Sequence, residues 1–481
     1  MSTDAADFLL ERFREHAGEP AVVWLDRAET YGSLLSAVSR WSETLTCKGV
    51  LAGTIVAVQA DFSPTSVALM IALIRHACII VPLTSSVSSK SEDYLRLSEA
   101  AVVIEVGHDD AVVFRWRDQE PQHELLRGLI RRTRPGLVLF TSGSTGASKA
   151  IVHDFGALLE KFRMRRHARC MMTFLLFDHI GGVNTLFYAL SNGGCIVTVG
   201  ERTPDAVCRA VDRHGVQTLP TSPTFLNLLL LSGALDLYRL TSLDTITYGT
   251  EVMPEQTLRR LREKLPHVQL VQTYGLSEVG ILRSKSESSD SLWVKLGGEG
   301  YQTRVVDGLL EIKSQSAMLG YLNAPCPFTQ DGWFQTGDMV EVKGDYFRVL
   351  GRKSEIINVG GEKVFPVEIE SMIQSMDGVV DVAVTGEKNA ITGQIVNAEV
   401  VLSTGESAAE FRRRMVAHCR PRMAAFKIPQ RVTVAHGGDL HGARFKKFRG
   451  RSPTSMADAE RDELPACSST QTAGSDTRSQ S

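Results

Sequence analysis

The chain has 481 residues, more than a single hydrophobic core usually covers, and this length predicts at least two domains. A content of 43% hydrophobic and 22% charged residues is typical of a globular protein, and the net charge of -2 argues against nucleic-acid binding. Eight cysteines without Cys-x-x-Cys spacing argue against a disulfide framework or a cysteine metal site. The acidic N-terminus has no long apolar core and is not typical of a signal peptide, so we expect a cytoplasmic protein.

Predicted helices and strands alternate through the first part of the chain. Helices are predicted at 65–75, 156–165 and 254–264, and strands at 78–81, 102–106, 137–140, 171–177, 194–199, 245–249 and 268–272. This alternation predicts a largely parallel α/β sheet. The stretch 67–83 is the best membrane candidate, but Arg75 and His76 interrupt it, so it predicts a helix and a buried strand ended by Pro82.

The pattern changes after about residue 290, where short strands separated by glycine turns predict a β-rich subdomain. Its strands are predicted at 309–312, 339–342 and 346–350. Beyond a boundary at 351–354, helices at 366–376 and 409–425 and strands at 379–384 and 395–402 predict a small α+β domain. We assign 1–350 to an N-terminal domain, 351–354 to a hinge, 355–450 to a C-terminal lid domain and 451–481 to a disordered tail.

A loop rich in glycine and hydroxyl groups runs from Thr141 to Lys149, after the predicted strand at 137–140. Gly143 and Gly146 permit positive φ and a close backbone approach, and Lys149 adds a cation. Hydroxyls and backbone N–H groups in such a loop donate hydrogen bonds to phosphate. The spacing Gly-x-x-Gly-x-x-Lys does not fit the Walker loop, and a flexible Ser/Gly turn is the structural alternative.

Other residues that carry chemistry also fall in predicted loops, where function usually lies. They are the turn Tyr274-Gly275-Leu276-Ser277-Glu278, the turn Thr336-Gly337-Asp338, Arg352, and the glycine-rich turn at 358–363. The first turn offers an aromatic ring, a hydroxyl and a carboxylate, and the carboxylate of the second can take two ribose hydroxyls. Taken singly, each has an ordinary alternative as a local turn or a surface salt bridge.

In this order the motifs resemble those of the adenylate-forming superfamily, which includes acyl- and aryl-CoA synthetases, peptide-synthetase adenylation domains and firefly luciferase. The family loop is close to Thr-Ser-Gly-Ser/Thr-Thr-Gly-x-Pro-Lys-Gly, and this chain departs from it at Ser148 and Ala150. The family motifs Tyr-Gly-x-Thr/Ser-Glu, Thr-Gly-Asp and Gly-Arg are matched as well. The resemblance covers about residues 20–450 and implies an α/β fold with a large N-terminal domain and a small, mobile C-terminal domain.

The resemblance implies an active site in the cleft between these domains. There a carboxylate attacks the α-phosphorus of ATP to give acyl-AMP and pyrophosphate, and a thiol then takes the acyl group. Tyr274 is implied to lie against adenine, Ser277 to bond the α-phosphate and Glu278 to hold magnesium (Mg2+). Asp338 and Arg352 are implied to take the ribose. The implied nucleotide-binding residues are Thr141, Ser142, Gly143, Ser144, Thr145, Gly146, Lys149, Tyr274, Gly275, Asp338, Arg352 and Gly361, and the implied catalytic residues are Lys446, Glu278, Ser277 and His179.

The predicted C-terminal domain departs from the family pattern at two places. The hinge residue of the family, usually Asp or Lys, aligns with Ser354. The adenylation lysine is expected in a Gly-Lys-x-x-Arg setting, whereas Lys446 and Arg449 here reproduce only the Lys-x-x-Arg spacing and Arg444 lies nearer the glycine. We assign the role to Lys446 because a slim ammonium reaches between the substrate carboxylate and the α-phosphate more readily than a guanidinium. Arg444, or a solvated basic run, is the alternative.

The acid-binding segment contains both residues that distinguish the subfamilies. Acyl and aryl ligases often have Phe-His there, whereas amino-acid-activating domains have Phe-Asp, and this chain has Asp178 followed by His179. Aligning His179 with the ligase histidine keeps the following Ile-Gly-Gly in register, so we favour a fatty or aryl acid over an amino acid. Asp178 then bonds a nearby loop. The other walls are predicted at 221–226, 248–250 and Thr273.

The sequence discriminates little between the two thiols that could accept the acyl group. Gly361, with Gly360, is implied to face a pantetheine channel, and we favour coenzyme A over the phosphopantetheine of a separate carrier protein. Two other classes stay open: a carrier-loading adenylation enzyme, and a degenerate member that binds nucleotide without completing the reaction or uses acyl-AMP otherwise.

Overall fold

The computed structural model describes residues 5–142 and 148–435. Hydroxyl side chains cap many helix N-termini; Ser63, for example, accepts a hydrogen bond from the backbone N–H of Ser66 ahead of a proline at the first helical position. The helices are α1 (Asp7–Glu15), α2 (Tyr31–Cys47), α3 (Pro64–Arg75), α4 (Ser91–Leu97), α5 (Glu124–Arg131), α6 (Phe155–Leu159), α7 (Ile180–Ser191), α8 (Pro204–His214), α9 (Pro223–Ser232), α10 (Glu255–Lys264), α11 (Pro366–Gln374) and α12 (Ala408–Cys419). Short 3-10 turns lie at Ser85–Lys90, Glu160–Phe162, Ala234–Asp236, Lys353–Glu355 and Ala425–Lys427.

The strands are short and mostly buried in the first part of the chain, and the longest strands, which are partly exposed, follow β15. They are β1 (Pro20–Trp24), β2 (Arg27–Thr30), β3 (Ile55–Gln59), β4 (Ile79–Leu83), β5 (Val102–Val106), β6 (Val112–Trp116), β7 (Gly136–Ser142), β8 (Ser148–Asp154), β9 (Cys170–Met172), β10 (Cys195–Val197), β11 (Thr218–Thr221), β12 (Thr245–Tyr248), β13 (Gln269–Gln272), β14 (Gly275–Leu276), β15 (Gly280–Ile281), β16 (Arg283–Ser286), β17 (Val294–Gly297), β18 (Tyr301–Val306), β19 (Leu309–Ser314), β20 (Gly320–Tyr321), β21 (Phe334–Lys343), β22 (Tyr346–Arg352), β23 (Ile357–Val359), β24 (Glu362–Val364), β25 (Val379–Asn389), β26 (Gly393–Leu402) and β27 (Arg431–Val434).

Two mixed sheets form the body of the N-terminal domain. One has the order β13-β12-β11-β9-β10-β1-β2, parallel except for its β1–β2 hairpin. The other has the order β20-β8-β7-β4-β3-β5-β6, with a parallel centre and antiparallel edges. The helix α3 packs between them in a core that includes Val67, Leu69 and Ile71. The largely parallel α/β body predicted from the sequence is confirmed, as two sheets rather than one.

An antiparallel sheet of order β16-β17-β22-β21-β19-β18 forms the predicted β-rich subdomain. The C-terminal domain has its own sheet, β24-β23-β26-β25 with β27 parallel to β26, and its own core around Phe411 and Met415. The predicted fold, a large N-terminal and a small C-terminal domain, is therefore confirmed. The residue numbers assigned to the boundaries remain predictions.

Several predicted elements differ from the structure in their bounds, and four of the differences have a clear physical reason. The strand predicted to end at Pro82 runs to Leu83. Pro82 has no N–H to donate, but β7 pairs with β4 only at Ile79 and Ile80, so no hydrogen bond between these two strands is lost at the proline. The helix predicted at 409–425 ends at Cys419, since Pro421 cannot extend it.

The other two differences concern a helix and a strand that precede α7. The helix predicted at 156–165 ends at Leu159 and continues as one 3-10 turn, because the apolar pattern stops at Phe162 and residues 163–168 are exposed. The strand predicted at 171–177 is only the short β9, and the chain then leaves the sheet to reach the N-terminus of α7.

Candidate active site

The turn after β13 carries Tyr274 and Glu278. Gly275 pairs with Ile281 across the short ladder of β14 and β15. A Cβ on Gly275 would lie 2.7 Å from the Gly280 carbonyl oxygen and 2.6 Å from the Ile281 side chain. Only glycine fits so close an approach, so the residue that sequence reasoning placed in a tight turn is required there by sterics.

Asp338 joins Tyr274 to Arg352. The Tyr274 hydroxyl donates to Oδ2 of Asp338 at 2.5 Å, and Arg352 Nε lies 2.8 Å from Oδ1. Asp338 and Arg352 are also paired across β21 and β22. Burial raises the pKa of Asp338, and the Arg352 charge opposes that rise. Three residues predicted separately from the sequence thus form one cluster, in which Tyr274 and Asp338 are buried and the Arg352 side chain is exposed.

The Thr-Gly-Asp turn holds Asp338 by local hydrogen bonds. The Thr336 hydroxyl donates to the Leu310 carbonyl at 2.7 Å and accepts from the backbone N–H of Asp338 at 3.0 Å. Gly337 between them has a φ of +77°, a conformation that favours glycine. The sequence Thr-Gly-Asp therefore fixes the direction of the carboxylate.

Tyr321 connects a second pair of predicted residues. Its hydroxyl donates to Oε1 of Glu278 at 2.8 Å, and Lys149 Nζ lies 5.0 Å from the centre of its ring. Burial and the Glu278 charge raise the pKa of Tyr321, so the phenol stays a donor. Sequence reasoning missed Tyr321 because it lies in a two-residue strand between turns, which shows no periodicity.

His153 supports the same turn from beneath. It lies fully buried on β8, and its Nε2 donates to the Ser277 carbonyl at 2.6 Å. Burial lowers the pKa of His153 to about 4, so the neutral imidazole is the form present near neutral pH. Sequence reasoning missed this residue too, although a histidine directly after the apolar Ile151 and Val152 is a detectable signal.

The predicted phosphate loop joins β7 to β8. Thr141 and Lys149 face each other across this hairpin, whose ladder extends to Ser142 and Ser148, so the loop is shorter than the sequence predicted. Gly143, Ser144, Thr145, Gly146, Arg444, Lys446 and the tail from 451 lie outside the described residues. Their roles stay predictions.

The acid-binding segment shows different positions for its two candidate residues. Asp178 is buried, with Oδ2 accepting from the Thr84 hydroxyl at 3.1 Å. His179 is the N-cap of α7 and its Nδ1 accepts from the Gly181 N–H at 3.0 Å. A Cβ on Gly182 would lie 1.9 Å from the Leu176 carbonyl oxygen, so this glycine lets α7 pack against the preceding loop.

A cavity of about 1140 Å³ opens beside this segment. Its floor is one face of the parallel sheet, contributed by alternate residues Thr218 and Pro220, Thr245 and Thr247, and Val271 and Thr273. The helix α7 supplies Gly181, Asn184 and Tyr188 on the other side. Of the predicted walls, Thr273 lines this cavity.

The turn predicted to face a pantetheine channel is exposed. Gly360 and Gly361 have φ values of +60° and +93°, and a Cβ on either would meet no described atom within 4 Å. Backbone conformation is therefore sufficient to explain both glycines. Ser354, the predicted hinge position, lies in the exposed 3-10 turn directly after Arg352.

Comparison with known protein families decides the identity of the chain. The family model described as AMP-binding enzyme matches residues 9–321, and the model described as AMP-binding enzyme C-terminal domain matches residues 368–439. The chain belongs to the AMP-binding enzyme family. The predicted class, an AMP-forming acid–thiol ligase of the acyl-CoA synthetase type, is confirmed.

Individual relatives of this AMP-binding enzyme are distant but matched over most of their length. It is 26% identical to indoleacetate–CoA ligase of Aromatoleum aromaticum, over 88% of this chain and 93% of that protein. It is 24% identical to 2-succinylbenzoate–CoA ligase of Bacillus subtilis, over 90% and 95%.

Solved structures agree with the fold. The anthranilate CoA ligase AuaEII in complex with anthranoyl-AMP has a TM-score of 0.78 at 20% identity, covering 95% of this chain and 97% of that one. ATP-bound MatB from Rhodopseudomonas palustris has a TM-score of 0.72 at 22% identity, covering 96% and 99%. Among the helices of the described residues, none is long and apolar enough to cross a membrane.

Proposed function

We propose that this AMP-binding enzyme joins a fatty or aryl carboxylic acid to coenzyme A in two steps. In the first step the carboxylate attacks the α-phosphorus of ATP, a P–O bond forms, and pyrophosphate leaves with the electron pair of the bond that breaks. In the second step a thiolate attacks the acyl carbon and AMP leaves. The observation that carries this proposal is that a hydrogen bond and an ion pair join Tyr274, Asp338 and Arg352 in one cluster.

Asp338 retains the capacity that a ribose site needs. A carboxylate offers about four lone-pair positions, and Tyr274 and Arg352 occupy one on each oxygen. The remaining positions can accept two ribose hydroxyls. Because Tyr274 and Arg352 already hold the carboxylate, little side-chain entropy of Asp338 is lost when the nucleotide binds.

The arrangement around Tyr321 suits the phosphates. Glu278 and Lys149 place a carboxylate and an ammonium around one ring. Magnesium is usually held by one or two carboxylates together with substrate phosphates, so Glu278 fits as its protein ligand. When bound, the ion would offset charge on the phosphate oxygens. Lys149 supplies further positive charge, and His153 fixes the Ser277 backbone beside them.

The cavity beside α7 is suited to the acid. Its lining includes Gly181, two residues after His179, and Thr273, directly before Tyr274. An acid in the cavity therefore has a path towards the nucleotide cluster. The hydrogen bond from Thr84 to Asp178 supports the loop-bonding role for that carboxylate, and with it a substrate without an ammonium group.

A pyrophosphate-exchange assay over a panel of acids tests the proposal. Fatty or aryl acids should drive exchange between ATP and labelled pyrophosphate, and free α-amino acids should not. Exchange with an amino acid alone would overturn the choice of acid and assign Asp178 to the ammonium group. Nucleotide binding without exchange for any acid would favour a degenerate member.

The acceptor is tested with the active acids. Coenzyme A should convert the acyl-adenylate to a thioester at a rate that saturates with its concentration. A holo carrier protein that is acylated while coenzyme A is not would identify a carrier-loading enzyme instead. Relatives named as CoA ligases support the first outcome.

A further inference from the structure

Lys161 is a half-buried lysine that the reaction described above does not use. It lies in the 3-10 turn after α6 and lines the cavity proposed to take the acid. Its Nζ donates to Asn184 Oδ1 at 2.6 Å and to the Ile281 carbonyl at 3.1 Å. Both acceptors are neutral, and among the described residues no carboxylate forms an ion pair with it.

The amine has capacity for one more acceptor. A lysine ammonium carries three N–H donors, and the two observed bonds leave one. Burial, together with the nearby Arg166, lowers the pKa of Lys161 to about 7. An anion bound beside such an amine restores its charge, because an opposite charge favours the protonated form.

The rest of the cavity lining is also suited to an anion. Among the described residues, eight lysine and arginine side chains line it against two carboxylates, Glu160 and Glu299. Glu160 is already paired with Arg163 at 2.9 Å, and Arg134, Arg169 and Lys295 pair with carboxylates outside the lining. Among the described residues, the lining cations without an ion pair are Lys161, Arg166, Arg283 and Lys285. Four threonines line the sheet side, so the wall is more polar than an alkyl chain requires.

We propose that the acid this enzyme activates carries a second carboxylate, and that Lys161 binds this distal group while the first carboxylate reacts with ATP. The inference rests on the proposed function. In it, Asn184 and the Ile281 carbonyl orient the ammonium, and the distal carboxylate takes its third N–H. Lys161 is thus a specificity-determining residue remote from the α-phosphorus.

The test compares α,ω-dicarboxylic acids of increasing chain length with their monomethyl esters in the pyrophosphate-exchange assay. The wild type should show the higher kcat/KM for the diacid of matching length. In Lys161→Met the ratio of diacid to half-ester kcat/KM should fall by about tenfold to a hundredfold, the usual effect of losing a hydrogen bond to a charged group. Most of the change should be in KM, because the step at phosphorus is untouched.

Two further variants separate charge from structure. Lys161→Gln keeps a donor for Asn184 and Ile281 without the charge, and it should lose the diacid preference as Lys161→Met does. Lys388→Met removes an exposed lysine on β25, away from the cavity lining, and should keep the wild-type ratio. An unchanged ratio in both Lys161 variants would overturn the proposal.

The acids that drive exchange also distinguish a failure of this inference from a failure of the proposed function. Efficient exchange with unsubstituted monocarboxylic acids, in preference to every diacid and half-ester, overturns the role of Lys161 and leaves the proposed function standing. Exchange with no acid of any series overturns the proposed function itself.

Discussion

The nucleotide side and the acid side of the site are built differently. On the nucleotide side, a hydrogen bond and an ion pair join Tyr274, Asp338 and Arg352, and each of these residues belongs to a short contiguous motif. On the acid side, an open cavity of about 1140 Å³ is lined by single residues from many elements. Chemistry common to all acids is held by short motifs, whereas acid selection depends on residues that only the fold brings together.

This difference orders the expected effects of substitution. Changes on the nucleotide side should lower activity with every acid, because they act on the step at phosphorus. Changes on the acid side, such as those at Lys161, should redistribute activity among acids.

The largest effect is expected at Lys446, which we assign from sequence to the adenylation step. Lys446→Ala should lower acyl-AMP formation by about a thousandfold, since it removes a cation from the developing charge. The variant should still convert a supplied acyl-adenylate to thioester, which single-turnover assays of the two half-reactions would measure. Normal adenylation by Lys446→Ala combined with its loss in Arg444→Ala would assign the role to the arginine.

A large effect is also expected at Glu278. Glu278→Gln should reduce pyrophosphate exchange by about a hundredfold to a thousandfold for every acid while circular dichroism stays unchanged. Tyr321→Phe, which removes only the hydroxyl that orients Glu278, should cost about tenfold. Glu263→Gln, an exposed change on α10, serves as the control. Near-wild-type exchange in folded Glu278→Gln would exclude the metal role.

A smaller and more selective effect is expected at Asp338. Asp338→Asn keeps the size of the side chain but loses two acceptor positions, so discrimination between ATP and 2′,3′-dideoxy-ATP should fall by about tenfold to a hundredfold. The comparison of kcat/KM for the two nucleotides measures this. Equal losses with both nucleotides would count against a ribose contact. Thermal unfolding should be followed in parallel, because the Tyr274 hydroxyl loses part of its acceptor.

The smallest effect concerns stability at acid pH through His153. Its native pKa of about 4 lies below the value of about 6.5 expected in the unfolded chain, so between these values the unfolded state binds the extra proton. Stability from this group is full above about pH 6.5 and falls as the pH drops towards 4, by about 2 kcal/mol between pH 7 and 5. Urea unfolding should show a weaker pH dependence in His153→Gln. Parallel curves for the two proteins would contradict the assignment.

The same contrast explains what the sequence could predict. The Tyr-Gly-x-Ser-Glu and Thr-Gly-Asp turns were found because sterics and local hydrogen bonds fix their residue types, as Gly275 and Thr336 illustrate. Seven of the fourteen described strands in the two sheets of the α/β body were found, mainly because they are continuous apolar runs.

Lys161 and Tyr321 have no local signature, and the only local signal of His153 is its position after two apolar residues. All three gain their roles from contacts with residues more than twenty positions away in the chain. Periodicity and spacing describe neighbours along the chain, so they could not identify these partners. The helix predicted at 409–425 failed for a different reason, since the amphipathic pattern was followed through Pro421.

The central claim, that a carboxylate attacks the α-phosphorus of ATP, is tested most directly with an acid labelled with ¹⁸O in its carboxylate. The enzyme should turn over this acid with ATP and coenzyme A to give AMP and pyrophosphate, with one labelled oxygen transferred to the AMP. Mass spectrometry of the nucleotide measures that oxygen. Unlabelled AMP, or ADP with the label in inorganic phosphate, would contradict the account.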